Sequence, residues 1–362
     1  MIRIRRGTVT ALLESRPGAV EIEVNIAGRR ERAVNYPALT GPARPGDEVI
    51  LSTTAVHRKL GTGGFHFVLA NLNIARKDAG EAGHIMKMRY APGQVKVFTV
   101  EEADHPQNAL FKATRTLAKT PVIVASLHSA LAPAAVAVHL LSGGKARLVY
   151  LMTDGGALPI AFSKLVAGLK QKGLVAATVT CGHAFGGDYE AINVYSGLLA
   201  AKGAAGADVI VAAMGPGVAG AADEFGHTAL EQGELVNAVN ILGGRPIAVP
   251  RVSFADPRER HRGLSHHTRT ALGKIALTRC TVTLPEMSPE KRMCVEKQLA
   301  ESGILARHRV VFLDAAVTLA ALRQYGLEVT TMGRTIEQDP EYFLAAGAAG
   351  VYAVKKWLLS RK

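Results

Sequence analysis

The sequence predicts an α/β fold, with a mostly parallel, doubly wound (Rossmann-like) sheet preceded by a small N-terminal β-barrel or sandwich. Two observations predict it. Residues 1–95 alternate polar and apolar residues in short runs, and from about residue 105 unbroken apolar runs recur between amphipathic stretches. A chain of 362 residues also exceeds the usual size of one hydrophobic core. We therefore expect a barrel domain at 1–95 and an α/β domain at 105–362 that carries a ligand site.

The first part of the chain contains five predicted strands, separated by the turn sequences "SRPG", "GPARPGD" and "GTGG". The strands are "RGTVTALLE", "AVEIEVNIAG", "RERAVNY", "DEVILSTTAV" and "FHFVLANL", and "GEAGHIMKMRYAPGQVKVFTVEEAD" follows as a connector with a crossing strand. Small barrels often bind oligonucleotides, but a fold does not determine a function. A structural or docking role is therefore favoured over nucleic-acid binding.

The second part contains seven apolar runs of strand length. They are "PVIVASL" (121–127), "ARLVYLMT" (146–153), "LVAATVT" (174–180), "DVIVAAM" (208–214), "PIAVPRVSF" (246–254), "TVTLP" (281–285) and "VVFLD" (310–314). Helical stretches such as "ALPIAFSKLVAGLKQKG" and "SPEKRMCVEKQLAESG" stand between most of them. This alternation is typical of a parallel sheet covered on both faces, whose strands end at one common edge.

Composition limits the possible partners and compartment. The net charge of +13 permits contact with nucleic acid, an anionic membrane or a phosphorylated small molecule, and 5% aromatic residues give little for base stacking. No nucleic-acid motif supports the first partner, and no apolar run is long enough to span a membrane. The three cysteines form no C-x-x-C pair, and the first residues do not resemble a signal peptide. A reduced, cytoplasmic location is predicted.

Polar residues and glycines collect where the predicted strands end, and ligands bind at that edge of open parallel sheets. The residues predicted there to bind a ligand through backbone or carboxylate groups are Asp154, Gly155, Gly156, Gly186, Gly187, Gly215 and Gly217. Gly155 and Gly156 have two interpretations: a tight turn in which Asp154 caps a helix, or free N–H groups at a helix start that hold a phosphate. No nucleotide-binding glycine fingerprint occurs, so the sequence does not decide between them.

Three residues at this edge are predicted to be catalytic: His183, His266 and Asp188. His183 lies among glycines and is suited to general acid–base work near neutral pH. Asp188 has two possible roles, orienting His183 or capping the following helix, and the cap is favoured. Cys181 is expected to be a small buried residue rather than a nucleophile.

The stretch "RVSFADPRERHRGLSHHTRTALGKIAL", residues 251–277, is the densest cluster of charge and imidazole. A helix is expected from Asp256-Pro257 to Gly263, followed by a second helix that Ser265 caps, with His266 and His267 in its first turn. Consecutive residues do not share a helix face, so at most one of these two histidines should point into a given site. Four residues are predicted to bind a carboxylate or phosphate, although a solvated charge run is the alternative: Arg251, Arg258, Arg260 and His261.

A metal site receives no support from spacing. His183, Asp188, Asp256, His261 and His266 are possible ligand types, but no H-E-x-x-H or similar close pair occurs. We therefore predict no metal ligand, and the sequence leaves the cofactor unknown.

Several long stretches resemble a known family. They include "VYLMTDGGALPIAFS", "TCGHAFGGDYEAIN", "SGLLAA", "AAMGPGVAG" and "RVSFADPRERHRGLSHHT", with "GTVT", "PGDEVILSTTAVHRKLGTGGFHFVLAN" and "GHIMKMRYAP" nearer the start. Together they resemble the bacterial family called Domain of Unknown Function 3866 over nearly the whole chain. The resemblance implies a bacterial cytoplasmic protein and supplies no catalytic residues.

Two hypotheses of function follow. The first is an enzyme, or a ligand-binding protein derived from one, that acts on an anionic, phosphorylated or nucleotide-like small molecule at the carboxyl ends of the strands. The second is a non-enzymatic interaction protein whose barrel contacts nucleic acid or a protein partner. The closing helix, "EYFLAAGAAGVYAVKKWLLSRK", has an apolar face suited to packing on the sheet or on a second subunit, so a homodimer is also expected.

Overall fold

The computed structural model describes residues 1–61, 63–156 and 158–361, which form two compact units. One unit is Met1–Lys96 with Ala161–Ala167, and the other is Val97–Ile160 with Gly168–Lys362. Thr62 of the predicted "GTGG" turn, Ala157 at the start of one predicted helical stretch and Lys362 at the end of another lie outside the described residues. No helix among the described residues is long and apolar enough to cross a membrane.

The strands are β1 Ile4–Arg16, β2 Ala19–Ile26, β3 Arg29–Asn35, β4 Glu48–Ser52, β5 His66–Asn71, β6 Ile85–Lys87, β7 Val95–Val97, β8 Pro121–Ala125, β9 Leu148–Thr153, β10 Ala177–Thr180, β11 Tyr189–Glu190, β12 Val209–Met214, β13 Arg245–Val249, β14 Val252–Ser253, β15 Gly263–Leu264, β16 Thr281–Pro285 and β17 Arg309–Leu313.

The α-helices are α1 Pro37–Thr40, α2 Thr54–His57, α3 Asn108–Ala113, α4 Leu131–Leu141, α5 Lys164–Gln171, α6 Val194–Lys202, α7 Glu231–Ile241, α8 His266–Thr270, α9 Pro289–Glu301, α10 Ile304–Arg307, α11 Val317–Gln324 and α12 Pro340–Leu359. Short 3₁₀ turns occur at His128–Ala130, Ile160–Phe162, Thr228–Leu230 and Glu259–His261, and a π-helical turn at Ala271–Ile275 follows α8.

The N-terminal unit contains a closed barrel with the strand order β1-β2-β3-β5-β4. Neighbouring strands are antiparallel except for β3 and β5. Alternate residues such as Val9, Ile22, Val24 and Leu51 are buried inside it, which is what the period-two pattern predicts. The predicted barrel is confirmed, and because the sheet closes on itself it leaves no unpaired edge.

The second unit is built on an eight-stranded sheet with the order β11-β10-β9-β12-β8-β13-β16-β17. Every neighbouring pair is parallel, so the strands share one carboxyl edge. All seven predicted strands occur in it, and β8, β9 and β12 are buried along their whole length, as unbroken apolar runs require. The Rossmann-like α/β fold is therefore confirmed.

Two groups of helices pack on this sheet. Helices α4, α11 and α12 contact one another, and α6 and α7 form the second group. Gly350 of α12 lies so close to α4 that a Cβ added there would stand 2.7 Å from the Ala134 carbonyl oxygen. The apolar face of α12 is buried within the chain, where Trp357 is 4% exposed. The homodimer stays a prediction.

Two predicted helices differ from the structure. In the described part of the stretch predicted as a helix after Gly156, a 3₁₀ turn at Ile160–Phe162 comes first and α5 follows at Lys164. The helix expected from Asp256 to Gly263 is only the 3₁₀ turn Glu259–His261, and Gly263, at φ +69°, belongs to β15. The Oδ1 of Asp256 accepts a hydrogen bond from the Arg258 amide at 3.1 Å, and both carboxylate oxygens accept hydrogen bonds from the Arg258 guanidinium. Asp256 therefore starts a turn rather than a helix.

Candidate active site

The chain changes direction across the sheet at β8. Strand β12 pairs with one side of β8, and the next strand along the chain that joins the sheet, β13, pairs with the other. Gln232 of α7 lies at this point and donates to the carbonyl oxygens of Val124 at 2.9 Å and Val249 at 2.7 Å. Ligands of open α/β sheets bind at the carboxyl ends of the strands beside such a switch point. The loops that follow β8, β12 and β13 are therefore where a ligand is expected to bind.

A buried carboxylate, Asp256, collects three guanidinium groups after β13. Its Oδ2 lies 3.1 Å from Arg251, 2.8 Å from Arg258 and 3.3 Å from Arg334. Burial alone raises the pKa of Asp256, but the Arg258 hydrogen bonds and the charges of Arg258 and Arg251 lower it well below its usual range. The predicted residues Arg251 and Arg258 are thus brought together, and Asp256 neutralises part of their charge.

A second carboxylate, Asp339, completes this guanidinium cluster, which comprises Arg251, Arg258, Arg334, Asp256 and Asp339. Its Oδ2 accepts hydrogen bonds from Arg334 at 2.9 Å and from Ser253 at 2.8 Å. The Oδ1 of Asp339 is buried and has no hydrogen-bond partner among the described residues. Three guanidiniums face two carboxylates, so the cluster keeps one positive charge in excess.

Four imidazole rings meet beside the guanidinium cluster, and we call them the histidine cluster: His227, His261, His266 and His267. His227 stacks on His267 with ring centroids 4.0 Å apart, and His266 lies 4.4 Å from His267 and 5.4 Å from His227. His261 lies 4.8 Å from His266 and 4.9 Å from His267. Ligand nitrogens of His227, His266 and His267 all lie within 4.8 Å of one another, so these three rings could hold a metal ion.

The histidine cluster is neutral at pH 7. Burial is the largest cause, and the charges of neighbouring histidines and arginines add to it. Together they lower the pKa of His261 to about 3, of His266 to about 4 and of His267 to about 2. Burial also lowers the pKa of His227, against an opposing contribution from the Glu224 backbone. Neutral imidazoles can accept a proton or bind a metal through an unprotonated nitrogen.

Local backbone geometry places these rings. Ser265 caps α8 by accepting a hydrogen bond from the His267 amide at 3.3 Å, as predicted, and its hydroxyl also contacts Nδ1 of His261 at 2.7 Å. Both His266 and His267 contribute rings to the cluster, so the prediction that only one would point into the site is wrong. The reason is that His266 and His267 are the first two residues of the five-residue helix α8, and His227, from the loop after β12, contacts both of their rings.

His227 was not predicted as a site residue. It ends the loop after β12, where Gly220 pairs with it as an isolated β-bridge and the Thr228 amide donates to the Ala219 carbonyl at 2.9 Å. A Cβ added to Gly220 would stand 2.8 Å from the Cβ of His227, so only glycine allows this approach. The signal in the sequence is weak: one histidine after a glycine-rich loop.

Glu231 was also missed. It is the first residue of α7 and lies four positions after His227, near the end of β9. Burial raises the pKa of Glu231 to about 7, with the Thr153 hydroxyl opposing the shift and the charges of Asp154 and Glu234 adding to it. A carboxyl group with such a pKa exchanges protons at neutral pH.

A buried His–Tyr pair lies at the end of β8. Nδ1 of His128 is 3.0 Å from the Tyr150 hydroxyl, which is also 3.2 Å from the carbonyl oxygens of Ala213 and Met214. Burial lowers the pKa of His128 to about 4, although the Met214 backbone opposes the shift. This pair joins the ends of β8, β9 and β12.

Asp154 and His183 form a separate group after β9 and β10. Oδ2 of Asp154 accepts a hydrogen bond from the His183 amide at 3.0 Å, so it bridges two loops and does not cap a helix. Gly182 has φ +62°, and a Cβ there would stand 2.1 Å from the Asp154 carboxylate. His183 itself is half-buried. Strands β12 and β8 separate β9 from β13 in the sheet.

Asp188 serves the structure of the sheet edge. Its carboxylate contacts Lys170 at 2.5 Å and accepts hydrogen bonds from the amide and hydroxyl of Thr178 at 2.8 and 2.9 Å. The predicted helix cap at Asp188 is wrong, because α6 begins at Val194 and Asn193 caps it.

The predicted glycines differ in how much space surrounds them. A Cβ at Gly155 or Gly215 would meet a methionine side chain at 2.9 or 3.0 Å, and at Gly156 it would meet Leu158 at 2.4 Å. A Cβ added at Gly187 would stand 2.9 Å from Thr180. Gly186, at φ +87°, and Gly217, at φ +115°, have more room, and nothing lies within 4 Å of a Cβ at Gly217. The first four glycines therefore permit close packing, and Gly217 leaves its backbone accessible.

Two cavities lie at the opposite, amino edge of the sheet. One, of about 250 Å³, lies where β9 and β10 begin. The other, of about 310 Å³, lies where β13, β16 and β17 begin, and we call it the amino-edge cleft. Four cationic side chains line it: Arg245, Arg279, Arg309 and Lys356. Anion binding at the carboxyl edge has to be distinguished from binding in this cleft.

Comparison with known proteins gives one match. A family model described as "Protein of unknown function (DUF3866)" matches residues 32–350. No curated protein and no solved structure matches the chain.

Proposed function

The chain belongs to the family described as a protein of unknown function (DUF3866), and we propose that it binds an anionic, phosphorylated small molecule at the carboxyl edge of its parallel sheet and acts on it as an enzyme. The ligand lies beyond the ends of β8, β12 and β13, next to the guanidinium and histidine clusters.

The observation that carries this proposal is the excess of positive charge beside four neutral imidazoles at the switch point. The guanidinium cluster is one carboxylate short of neutrality, and Arg260 adds another cation whose charge lowers the pKa of His266. An anion is the partner that such a surface favours, and guanidinium groups bind phosphate through two parallel hydrogen bonds. Neutral imidazoles supply further donors without adding charge.

Arg260 is the cation best suited to meet the ligand. It is exposed, and the structure gives it no carboxylate partner among the described residues, whereas Arg251 and Arg258 are held by Asp256. Glu231 then provides the group that exchanges a proton with the bound molecule, because its pKa lies near neutrality. His183, which the sequence predicted as a proton carrier, is a second such group in this proposal.

The test is calorimetric titration of the full chain with inorganic phosphate, pyrophosphate and a nucleoside triphosphate. We expect at least one of these to bind, and Arg260→Gln to weaken its binding roughly 10- to 100-fold, since a charge-assisted hydrogen bond contributes about 1.5–3 kcal/mol. Arg279→Gln is the matched control, because it removes an equally exposed arginine from the amino-edge cleft.

The pair of variants locates the ligand. Loss of binding in Arg279→Gln with full binding in Arg260→Gln would place the anion at the amino edge and contradict the proposal. Failure of all three anions to bind the wild-type chain would also contradict it.

A further inference from the structure

We propose that His227, His266 and His267 form a binding site for one divalent transition-metal ion, with zinc(II) as the expected occupant. His227 lies in the loop after β12, and His266 and His267 are the first two residues of α8, which follows β15. The ligand nitrogens all lie within 4.8 Å of one another. The site does not depend on the anion proposed above, and it would stand if no anion bound.

The spacing of the nitrogens suits a common metal ion after a small adjustment. Zinc–nitrogen bonds are about 2.0–2.1 Å long, so two nitrogens on one tetrahedral zinc are roughly 3.4 Å apart. Ligand nitrogens that already lie within 4.8 Å need to approach by about 1 Å, which rotation of the imidazole rings provides. His266 is half-buried, so its ring is less enclosed than the buried rings of His227 and His267.

The unpaired ring nitrogens are the second observation. Both nitrogens of His227, Nε2 of His266 and Nδ1 of His267 are buried and make no hydrogen bond of normal geometry within the described part of the chain. His227 and His267 are each only 6% exposed. Buried polar atoms without a partner are rare in native proteins and call for an ion or a bound molecule. A metal ion would satisfy one nitrogen of each ring at once.

The ligand set selects the ion. Three imidazoles without a carboxylate or thiolate suit zinc, copper or nickel better than magnesium or calcium, which prefer oxygen ligands. Three protein ligands also leave the fourth position of a tetrahedral zinc open, which is the arrangement of catalytic rather than structural sites. The nearby guanidinium excess favours a negatively charged fourth ligand, such as hydroxide or a phosphate oxygen.

Neighbouring residues hold the proposed ligands in place. Ser265 fixes the start of α8 and contacts His261, whose ring packs against both His266 and His267. Thr268 accepts a hydrogen bond from the Arg251 amide at 2.8 Å, which ties α8 to the end of β13. We regard His261 as a positioning residue and not as a ligand, because the group whose ligand nitrogens all lie within 4.8 Å of one another comprises His227, His266 and His267.

The test measures zinc bound by the full chain after dialysis against a chelator and then against buffered zinc at pH 7.5. We expect one zinc per chain and a melting temperature that rises with free zinc. His227→Ala and His266→Gln should each weaken zinc binding by more than about 100-fold, because losing a ligand costs more than the 10–100-fold typical of outer-shell changes. The matched control, His57→Ala, removes an exposed histidine from the barrel unit and should bind zinc like the wild type.

Cobalt(II) substitution provides a readout that needs no variant. The proposed site predicts the visible absorption of a tetrahedral cobalt ion without a thiolate charge-transfer band. Absence of stoichiometric zinc in the wild type, a thiolate band, or normal binding by folded His266→Gln would overturn the proposal. Circular dichroism checks the fold of each variant, and if neither His227→Ala nor His266→Gln folds, the wild-type cobalt spectrum decides. Anion titration of the metal-free chain then tests the proposed function separately.

Discussion

At the scale of single residues, the fold brings the pKa of Glu231 close to neutral pH. Glu231 begins α7 beside Asp154 and Thr153, and burial there raises the pKa of its carboxyl from 4.5 to about 7. Such a shift couples folding to pH, because the folded state binds a proton more tightly than the unfolded chain does. The proton stabilises the fold fully below pH 4.5, and this contribution is lost as the pH rises through 7.

We therefore predict that Glu231→Gln changes the pH dependence of stability. Glutamine stays neutral, so the variant avoids the cost of burying a carboxylate at high pH. The free energy of unfolding of the variant relative to the wild type should rise by about 1–3 kcal/mol between pH 4.5 and pH 8. Urea denaturation at both pH values, followed by the fluorescence of Trp357, the one tryptophan in the sequence, measures it.

The control is Glu234→Gln, the same change at an exposed position one turn further along α7. It leaves the half-buried Glu231 in place and should keep most of the wild-type pH dependence. A difference between Glu231→Gln and wild type that is the same at pH 4.5 and pH 8 would contradict the account.

Some of the site residues could be predicted from the sequence and others could not. Arg251, Arg258, His261 and His266 are neighbours along one dense stretch, so their proximity is a local property. His227, by contrast, joins them only because β12 and β13 lie on either side of β8. Strand order depends on packing across the whole sheet, so no local pattern in the sequence predicts it.

At the scale of secondary-structure elements, α12 shows how small residues allow close packing. A Cβ added to Gly350 would stand 2.7 Å from the Ala134 carbonyl oxygen and 2.8 Å from the Ala137 Cβ of α4. Both distances are shorter than a carbon atom tolerates, and the obstacles are a backbone and a buried side chain that cannot turn away. The glycine therefore sets the distance between α4 and α12.

We predict that Gly350→Ala destabilises the protein although alanine is the better helix former. Overpacking costs typically about 1–3 kcal/mol, which outweighs the gain of about 1 kcal/mol in helix propensity. The midpoint of urea denaturation at constant slope measures the change.

Gly168→Ala in α5 is the matched control, since nothing lies within 4 Å of a Cβ at that position. It should stabilise the protein by about 0.5–1 kcal/mol through propensity alone. Equal effects of the two substitutions would show that the approach of α12 to α4 is looser than the structure indicates.

The elements themselves were predicted well where one physical effect dominates. Unbroken apolar runs predicted all seven parallel strands, because burial on both faces leaves little choice of residue. Helix starts were predicted poorly. A cap was one of two interpretations of Asp154 and the favoured one for Asp188, and Asp256 was expected to start a helix. Their carboxylates instead bind, in that order, the His183 amide, Lys170 with Thr178, and guanidinium groups. Long-range partners compete with local capping, and a sequence does not show those partners.

At the scale of the whole molecule, the period-two pattern and the unbroken apolar runs predicted the barrel and the parallel sheet. The candidate site lies at the carboxyl edge of that sheet. Every strand of that sheet points its carboxyl end to one edge, and the loops after β8, β12 and β13 meet there. The amino edge carries its own cationic cleft around Arg309. Cationic side chains therefore lie at both edges, and at the carboxyl edge they lie beside the histidine cluster.

The most direct test of anion binding at the carboxyl edge is a crystal structure determined from crystals soaked with pyrophosphate. The account predicts density for the anion at the carboxyl edge, within hydrogen-bonding reach of Arg260 and the histidine cluster. Density in the amino-edge cleft, against Arg245 or Arg309, with none at the carboxyl edge would contradict it.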